Sequence, residues 1–108
     1  MADVPITIAC GNYDRTKAII DGRVKVEGCD INYLPLYPEE IFHRLFKFQE
    51  FDVAEMSFSS YIRTVAAGTS EYIGIPAFVS RLFRHSGIYV RAGAGIEKPE
   101  DLRGKRIG

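Results

Sequence analysis

Short apolar runs alternate with polar segments over the first two thirds of the chain. Residues 6–10 are apolar and β-branched and are followed by Gly11-Asn12, which predicts a first strand. Residues 31–36 predict a second strand, and Pro35 marks its end. Residues 51–56 predict a third. Two further apolar runs predict strands at 72–79, interrupted by Pro76, and at 87–90.

Helical periodicity fills the intervals between these strands. Residues 15–20 predict a short helix capped by Asp14. The strongest pattern begins at Pro38 and continues through apolar residues at i, i+4 and i+7, which predicts a helix to Phe48. A third helix is predicted from a cap at Ser59 or Ser60 to residue 67, and one helical turn at 99–102.

This strand–helix alternation is typical of an α/β fold, an open and mainly parallel sheet with helices on both faces. If the third strand pairs with the first on the side away from the second, the strand order begins 2-1-3. Ligands of such sheets bind beyond the carboxyl ends of the strands, where the order reverses. Two loops are expected there, residues 10–14 and residues 55–59.

Charge and composition narrow the class of partner. The 108 residues carry a net charge of +0, which argues against a general nucleic-acid binder. No apolar run is long enough to span a membrane, and the first residues lack a basic signal segment, so we expect no membrane partner and a cytoplasmic location. Cys10 and Cys29 show no metal-ligand spacing and are expected to be free thiols.

The loop after the third strand carries candidate chemistry. Glu55 follows residues that should be apolar, so its carboxylate is either partnered or functional. Ser57 and Ser59 precede the third helix, whose free N–H groups favour an anion. For each serine alone, simple helix capping is the favoured interpretation.

A second polar cluster joins the two later apolar runs. Arg84 has the planar donors that hold a carboxylate, and His85 titrates near neutral pH. A polar loop without function explains these residues about as well. The sequence has no phosphate loop, no dinucleotide fingerprint and no nucleophile elbow, so no cofactor is identified, and the question of a divalent metal stays open.

Four segments together resemble the 4,5-dihydroxyphthalate decarboxylase family. They are residues 9–16 (ACGNYDRT), 20–24 (IDGRV), 51–57 (FDVAEMS) and 80–86 (SRLFRHS). The resemblance implies a longer two-lobed protein with the fold of type 2 periplasmic solute-binding proteins and a ligand cleft between its lobes. Residues 1–108 would then be the N-terminal part of lobe one, and residues 103–108 are typical of a strand that is just beginning.

The resemblance implies a carboxy-lyase that acts on a hydroxylated aromatic dicarboxylate. The predicted catalytic residues are His85, Glu55 and Arg84. The predicted substrate-binding residues are Asn12, Tyr13, Asp14, Arg15, Ser57, Ser59, Arg81 and Ser86. The expected partner is a small anionic aromatic molecule, and a homo-oligomer is compatible with the sequence. Two alternatives stay open, the substrate-binding component of an ABC-type transporter and a small interaction domain.

Overall fold

Three parallel strands form the sheet in the part of the chain that the structure describes. The computed structural model describes residues 1–82 and 87–108. The strands β1 (Val4–Cys10), β2 (Cys29–Pro35) and β3 (Val53–Ala54) lie in the order β2-β1-β3. The α/β class and the strand order beginning 2-1-3 are therefore confirmed. The ladder between β1 and β2 ends where Cys10 pairs with Pro35, so both strands finish at the same edge.

The third strand is shorter than the sequence predicts because a side chain replaces part of its ladder. Only Val53 and Ala54 pair with β1 as strand residues. The Asp52 carboxylate accepts the N–H of Thr7 at 2.8 Å, an interaction that a backbone carbonyl of a longer strand would make. The N–H of Glu55 still donates to the Ala9 carbonyl at 2.9 Å, which fixes Glu55 beside the end of β1.

Three α-helices connect and follow the strands, namely α1 (Lys17–Ile20), α2 (Pro38–Phe48) and α3 (Phe58–Ala66). The predicted helix over 38–48 is confirmed, and the turn at Pro99–Leu102 is a 3-10 helix. The predicted cap of α3 is wrong. Ser57 caps it, since the N–H of Ser60 donates to the Ser57 hydroxyl at 3.5 Å. The predicted cap of α1 is also wrong, because that helix begins after Thr16.

The core lies between α2 and the strands. Ala9, Ile41, Leu45 and Phe51 are buried and pack together. Ile41 and Leu45 are one helical turn apart, so they reach the same face of the sheet. This contact fixes α2 against β1, the strand that ends at Cys10.

The predicted strands at 72–79 and 87–90 do not form in the described residues. Apolar side chains in both segments are exposed, with Ile73 at 93% and Ile88 at 70%. A strand requires a neighbour to accept its backbone hydrogen bonds, and no described strand lies beside either segment. Pro76 also removes one donor from the first segment.

The molecule is extended as a result. Its radius of gyration is 18.6 Å, whereas a compact domain of this length has about 13 Å. In the part of the chain that the structure describes, no helix is both long enough and apolar enough to cross a membrane.

Candidate functional site

Polar side chains from all three strands meet at the carboxyl edge of the sheet. Cys10 ends β1, Tyr33 lies near the end of β2, and Glu55 directly follows β3. The loop after β1 adds Tyr13. Because the strand order reverses at β1, this edge is where parallel α/β sheets bind ligands.

Glu55 is the centre of this cluster. One carboxylate oxygen, Oε1, accepts the Tyr13 hydroxyl at 3.1 Å, and the other, Oε2, accepts the Cys10 thiol at 3.6 Å. Both bonds join parts of the chain more than forty residues apart and are partly buried. The sequence left two alternatives for Glu55, a partnered or a functional carboxylate; the structure shows that it has partners, and they hold its carboxylate at the edge of the sheet.

Cys10 is a hydrogen-bond donor at this position. Its side chain is only 5% exposed. Burial raises the pKa of the Cys10 thiol, and the nearby Glu55 charge acts in the same direction. The thiol therefore keeps its proton at neutral pH, which suits it to supporting Glu55 and makes it a poor nucleophile.

Tyr33 holds the loop that follows β1. Its hydroxyl donates to the Gly11 carbonyl at 3.1 Å, and Thr16 approaches the same carbonyl at 3.4 Å. Burial raises the pKa of Tyr33 to about 12, so this donor also stays protonated. Two side chains therefore fix the Gly11 backbone.

Gly11 allows Tyr13 to reach Glu55. A Cβ atom at Gly11 would lie 2.6 Å from Cζ of the Tyr13 ring and 2.8 Å from its hydroxyl oxygen. These distances are shorter than real Cβ contacts, so any larger residue at position 11 forces the ring to move.

Arg15 attaches a later segment to this loop. Its Nε and Nη2 atoms donate to the Val79 carbonyl at 3.0 and 2.7 Å. The guanidinium also lies 5.1 Å from the centroid of the Tyr13 ring, a cation–π distance. Arg15 therefore attaches residue 79 to the loop that carries Tyr13.

Ser57, the N-cap of α3, closely follows Glu55 in the chain. The Ser57 and Ser59 hydroxyl oxygens are 3.1 Å apart, and Ser57 is half-buried while Ser59 is exposed. Ser57 also caps the helix, so one of its lone pairs is occupied by backbone. The helix N-terminus and two hydroxyls lie close in sequence to Glu55.

The predicted residues divide into three groups. Tyr13, Glu55 and Arg15 lie in one network of contacts, with Ser57 and Ser59 on the adjoining helix start. Asn12, Asp14 and Arg81 are exposed. Arg84, His85 and Ser86 lie outside the described residues.

The predicted site residues do not include Cys10, Gly11 or Tyr33, although residues 10–14 are expected at this edge of the sheet. Cys10 is buried and donates to Glu55. A signal for Tyr33 exists in the sequence, since a polar-tipped aromatic sits near the end of a strand that neighbours β1.

The described residues contain no cluster of side chains suited to a metal ion. Within 1–82 and 87–108, no three His, Cys, Asp or Glu side chains come close enough together to hold a metal ion. Cys10 and Glu55 form a pair without a third ligand of that kind in this part of the chain.

Comparison with known proteins gave two close matches. The chain is 52% identical over all 108 residues to a 4,5-dihydroxyphthalate decarboxylase of Comamonas testosteroni, and 48% identical to one of Pseudomonas putida. It spans 33% of the length of the first relative and 42% of the second. No protein-family model matches. The resemblance to 4,5-dihydroxyphthalate decarboxylases is thus confirmed over the whole chain.

Proposed function

We propose that this protein contributes to the decarboxylation of a hydroxylated aromatic dicarboxylate such as 4,5-dihydroxyphthalate. The observation that carries the proposal is the Glu55 carboxylate, held partly buried by Tyr13 and Cys10 at the carboxyl edge of the sheet. An ionised carboxylate accepts hydrogen bonds only, so it suits a ring hydroxyl. The names of both relatives support the same substrate class.

The chemistry requires a proton and a place for charge. A hydroxyl para to the leaving carboxylate donates electrons into the ring, and a proton adds to the carbon that bears that carboxylate. The carbon–carbon bond then breaks, its electron pair restores the aromatic ring, and CO2 leaves. Glu55 binds the hydroxyl or takes its proton as charge moves into the ring. This sequence of steps needs no organic cofactor.

The roles of the other site residues in this reaction are inferred from the sequence. Ser57, Ser59 and the N–H groups at the start of α3 would orient an anionic group of the substrate. Arg84 would hold a carboxylate, and His85 would act as acid or base toward the ring or hydroxyl. The cytoplasmic location and a possible assembly of several copies stay predictions.

We also propose that these residues form the N-terminal part of lobe one of a two-lobed protein. Both relatives are longer than this chain. Exposed apolar side chains within residues 73–82 and 88–90 support the proposal, because further chain would remove them from water. The cleft between the lobes would then contain Glu55.

The test replaces Glu55 by Gln in the full-length protein that carries this sequence. We expect the wild type to release CO2 from 4,5-dihydroxyphthalate, and Glu55→Gln to lower kcat by about 100-fold or more. Glu27→Gln is the matched control, because Glu27 is exposed in the turn before β2, away from this edge. Equal rates for Glu55→Gln and Glu27→Gln would refute the role of Glu55.

The same experiment separates the enzyme from a binding protein. The cluster at Glu55 would hold a hydroxylated ligand whether or not a reaction follows. Binding of 4,5-dihydroxyphthalate without release of CO2 favours the alternative, a substrate-binding component that captures a small anionic metabolite for transport.

A further inference from the structure

Tyr13 and Cys10 already use their side-chain hydrogens in hydrogen bonds to Glu55. A tyrosine hydroxyl and a thiol each have one hydrogen to donate. Tyr13 uses its hydrogen on Oε1 of Glu55, and Cys10 uses its hydrogen on Oε2. Burial raises the pKa of both groups, so both keep that hydrogen at neutral pH. Tyr13, Cys10 and Glu55 therefore have no side-chain hydrogen left for a ligand.

Lone pairs remain on the same atoms. A carboxylate has about four acceptor sites, and the two described bonds use two of them. The Tyr13 oxygen also has two lone pairs. Two neighbouring oxygens, 3.1 Å apart, can thus both accept a hydrogen from a ligand.

We infer that Tyr13 and Glu55 together select a vicinal diol on an aromatic ring, with one ligand hydroxyl donating to the Tyr13 oxygen and its neighbour to Glu55. The inference rests on the proposed function and adds a specificity residue to it. A carboxylate brings no hydrogen and carries the same charge as Glu55, so it is excluded from this position. The ring therefore enters with its hydroxyl edge toward β1 and its carboxylates away from it.

Gly11 also contributes to the selection of the diol, because it leaves space for the Tyr13 ring. Because the Tyr13 ring occupies the space of a Cβ at position 11, its hydroxyl reaches Glu55 only when residue 11 is glycine. Gly11→Ala should displace Tyr13 without removing the phenol. It therefore tests the position of the hydroxyl separately from its presence.

The test measures binding, so it does not depend on turnover. The probes are 3,4-dihydroxybenzoate, which is what remains after 4,5-dihydroxyphthalate loses one CO2, and its two monomethyl ethers, titrated calorimetrically into the full-length protein. A methyl ether lacks the hydrogen that Tyr13 or Glu55 accepts. We expect the wild type to bind the diol about 10-fold or more tightly than each ether.

The variants assign that preference to Tyr13. In Tyr13→Phe and Gly11→Ala, the preference over one ether should fall to about threefold or less, while binding of that ether stays unchanged. Tyr37→Phe removes a hydroxyl from a ring that is 80% exposed, and Gly74→Ala creates the same kind of clash against Tyr61. Both should keep the wild-type preference.

Two results would overturn the inference. One is an unchanged preference in both Tyr13→Phe and Gly11→Ala, and the other is an equal loss of affinity for all three probes. If the protein shows the preference but releases no CO2 from 4,5-dihydroxyphthalate, the proposed reaction fails and the selection of a diol stands.

Discussion

Residues 1–66 and the described part of residues 67–108 both contain apolar runs, but only the first part buries apolar side chains in a core. Residues 1–66 contain the sheet, the three α-helices and the buried residues Ala9, Cys10, Ile41, Leu45 and Phe51. In the described part of residues 67–108, apolar side chains such as Ile75 and Ile88 are exposed at 69% and 70%. The difference shows that an apolar run becomes a strand only where a neighbouring strand completes its hydrogen bonds.

The largest expected effect comes from the second part. His85→Ala in the full-length protein should lower kcat for 4,5-dihydroxyphthalate by about 100-fold or more, because an acid or base is lost, and leave substrate binding nearly unchanged. His43→Ala is the matched control, since His43 is exposed on α2. Measuring CO2 release and calorimetric binding for both variants separates an effect on turnover from an effect on substrate binding. Unchanged turnover in His85→Ala would remove this residue from the mechanism.

The second largest effect is a loss of stability, which compares a buried side chain of the first part with an exposed one of the second. Leu45 is 1% exposed in the core, so Leu45→Ala should lower the free energy of unfolding by about 2–5 kcal/mol. Ile73 is 93% exposed, and Ile73→Ala should change it in this chain by about 0.5 kcal/mol or less. Urea denaturation of both variants gives the comparison.

The same pair also tests the proposed second lobe. If further chain covers the exposed apolar residues, Ile73→Ala should become clearly destabilising in the full-length protein while the cost of Leu45→Ala persists. Equal costs of Ile73→Ala in the short and the full-length chain would contradict the proposal that another lobe covers this side chain.

The sequence predicts the first part well for a physical reason. The strands over 6–10 and 31–36 and the helix over 38–48 bury side chains against one another, so local pattern and tertiary packing agree. The apolar runs over 72–79 and 87–90 carry the same pattern, but strand pairing is a property of two segments, and a single run does not specify its neighbour.

The candidate site was predictable in outline only. Strand order placed Glu55 and the loop of Tyr13 at the same edge, which the structure confirms. The bond from Cys10 to Glu55 and the space that Gly11 leaves for Tyr13 depend on side-chain positions to a fraction of an ångström. No spacing rule in a sequence contains that information.

A smaller effect is expected where the two parts are joined. The Tyr72 hydroxyl donates to the Leu45 carbonyl at 3.1 Å, and its ring packs against the core. Tyr72→Phe keeps the ring and removes the bond, so the free energy of unfolding should fall by about 0.5–1.5 kcal/mol. Tyr37→Phe is the control, because that ring is largely exposed. Equal stabilities of the two variants would show that packing alone joins the parts.

The smallest expected effect is the pH dependence that Cys10 and Tyr33 contribute in the first part. Burial raises the pKa of Cys10 above its ordinary value of 9.0, and raises that of Tyr33 to about 12. The unfolded chain loses the Cys10 proton above pH 9.0 and the Tyr33 proton above pH 10.0, while the folded chain keeps both to higher pH, so rising pH favours unfolding. Their contribution is complete below the unfolded pKa values and is lost as pH rises through the folded ones.

Variants at the two cysteines isolate this contribution. We expect Cys10→Ser to show a shallower fall of unfolding free energy above pH 9.0 than the wild type, because its hydroxyl does not titrate there. Cys29→Ser should keep the wild-type slope, since Cys29 lies at the opposite end of the sheet, where it pairs with Val4. Urea denaturation at several pH values measures the slopes. A parallel fall in all three proteins would mean that the buried thiol beside Glu55 does not hold its proton more tightly than an unfolded one. Cys10 would then ionise as readily as an unfolded cysteine, and above pH 9.0 it would stop donating to that carboxylate.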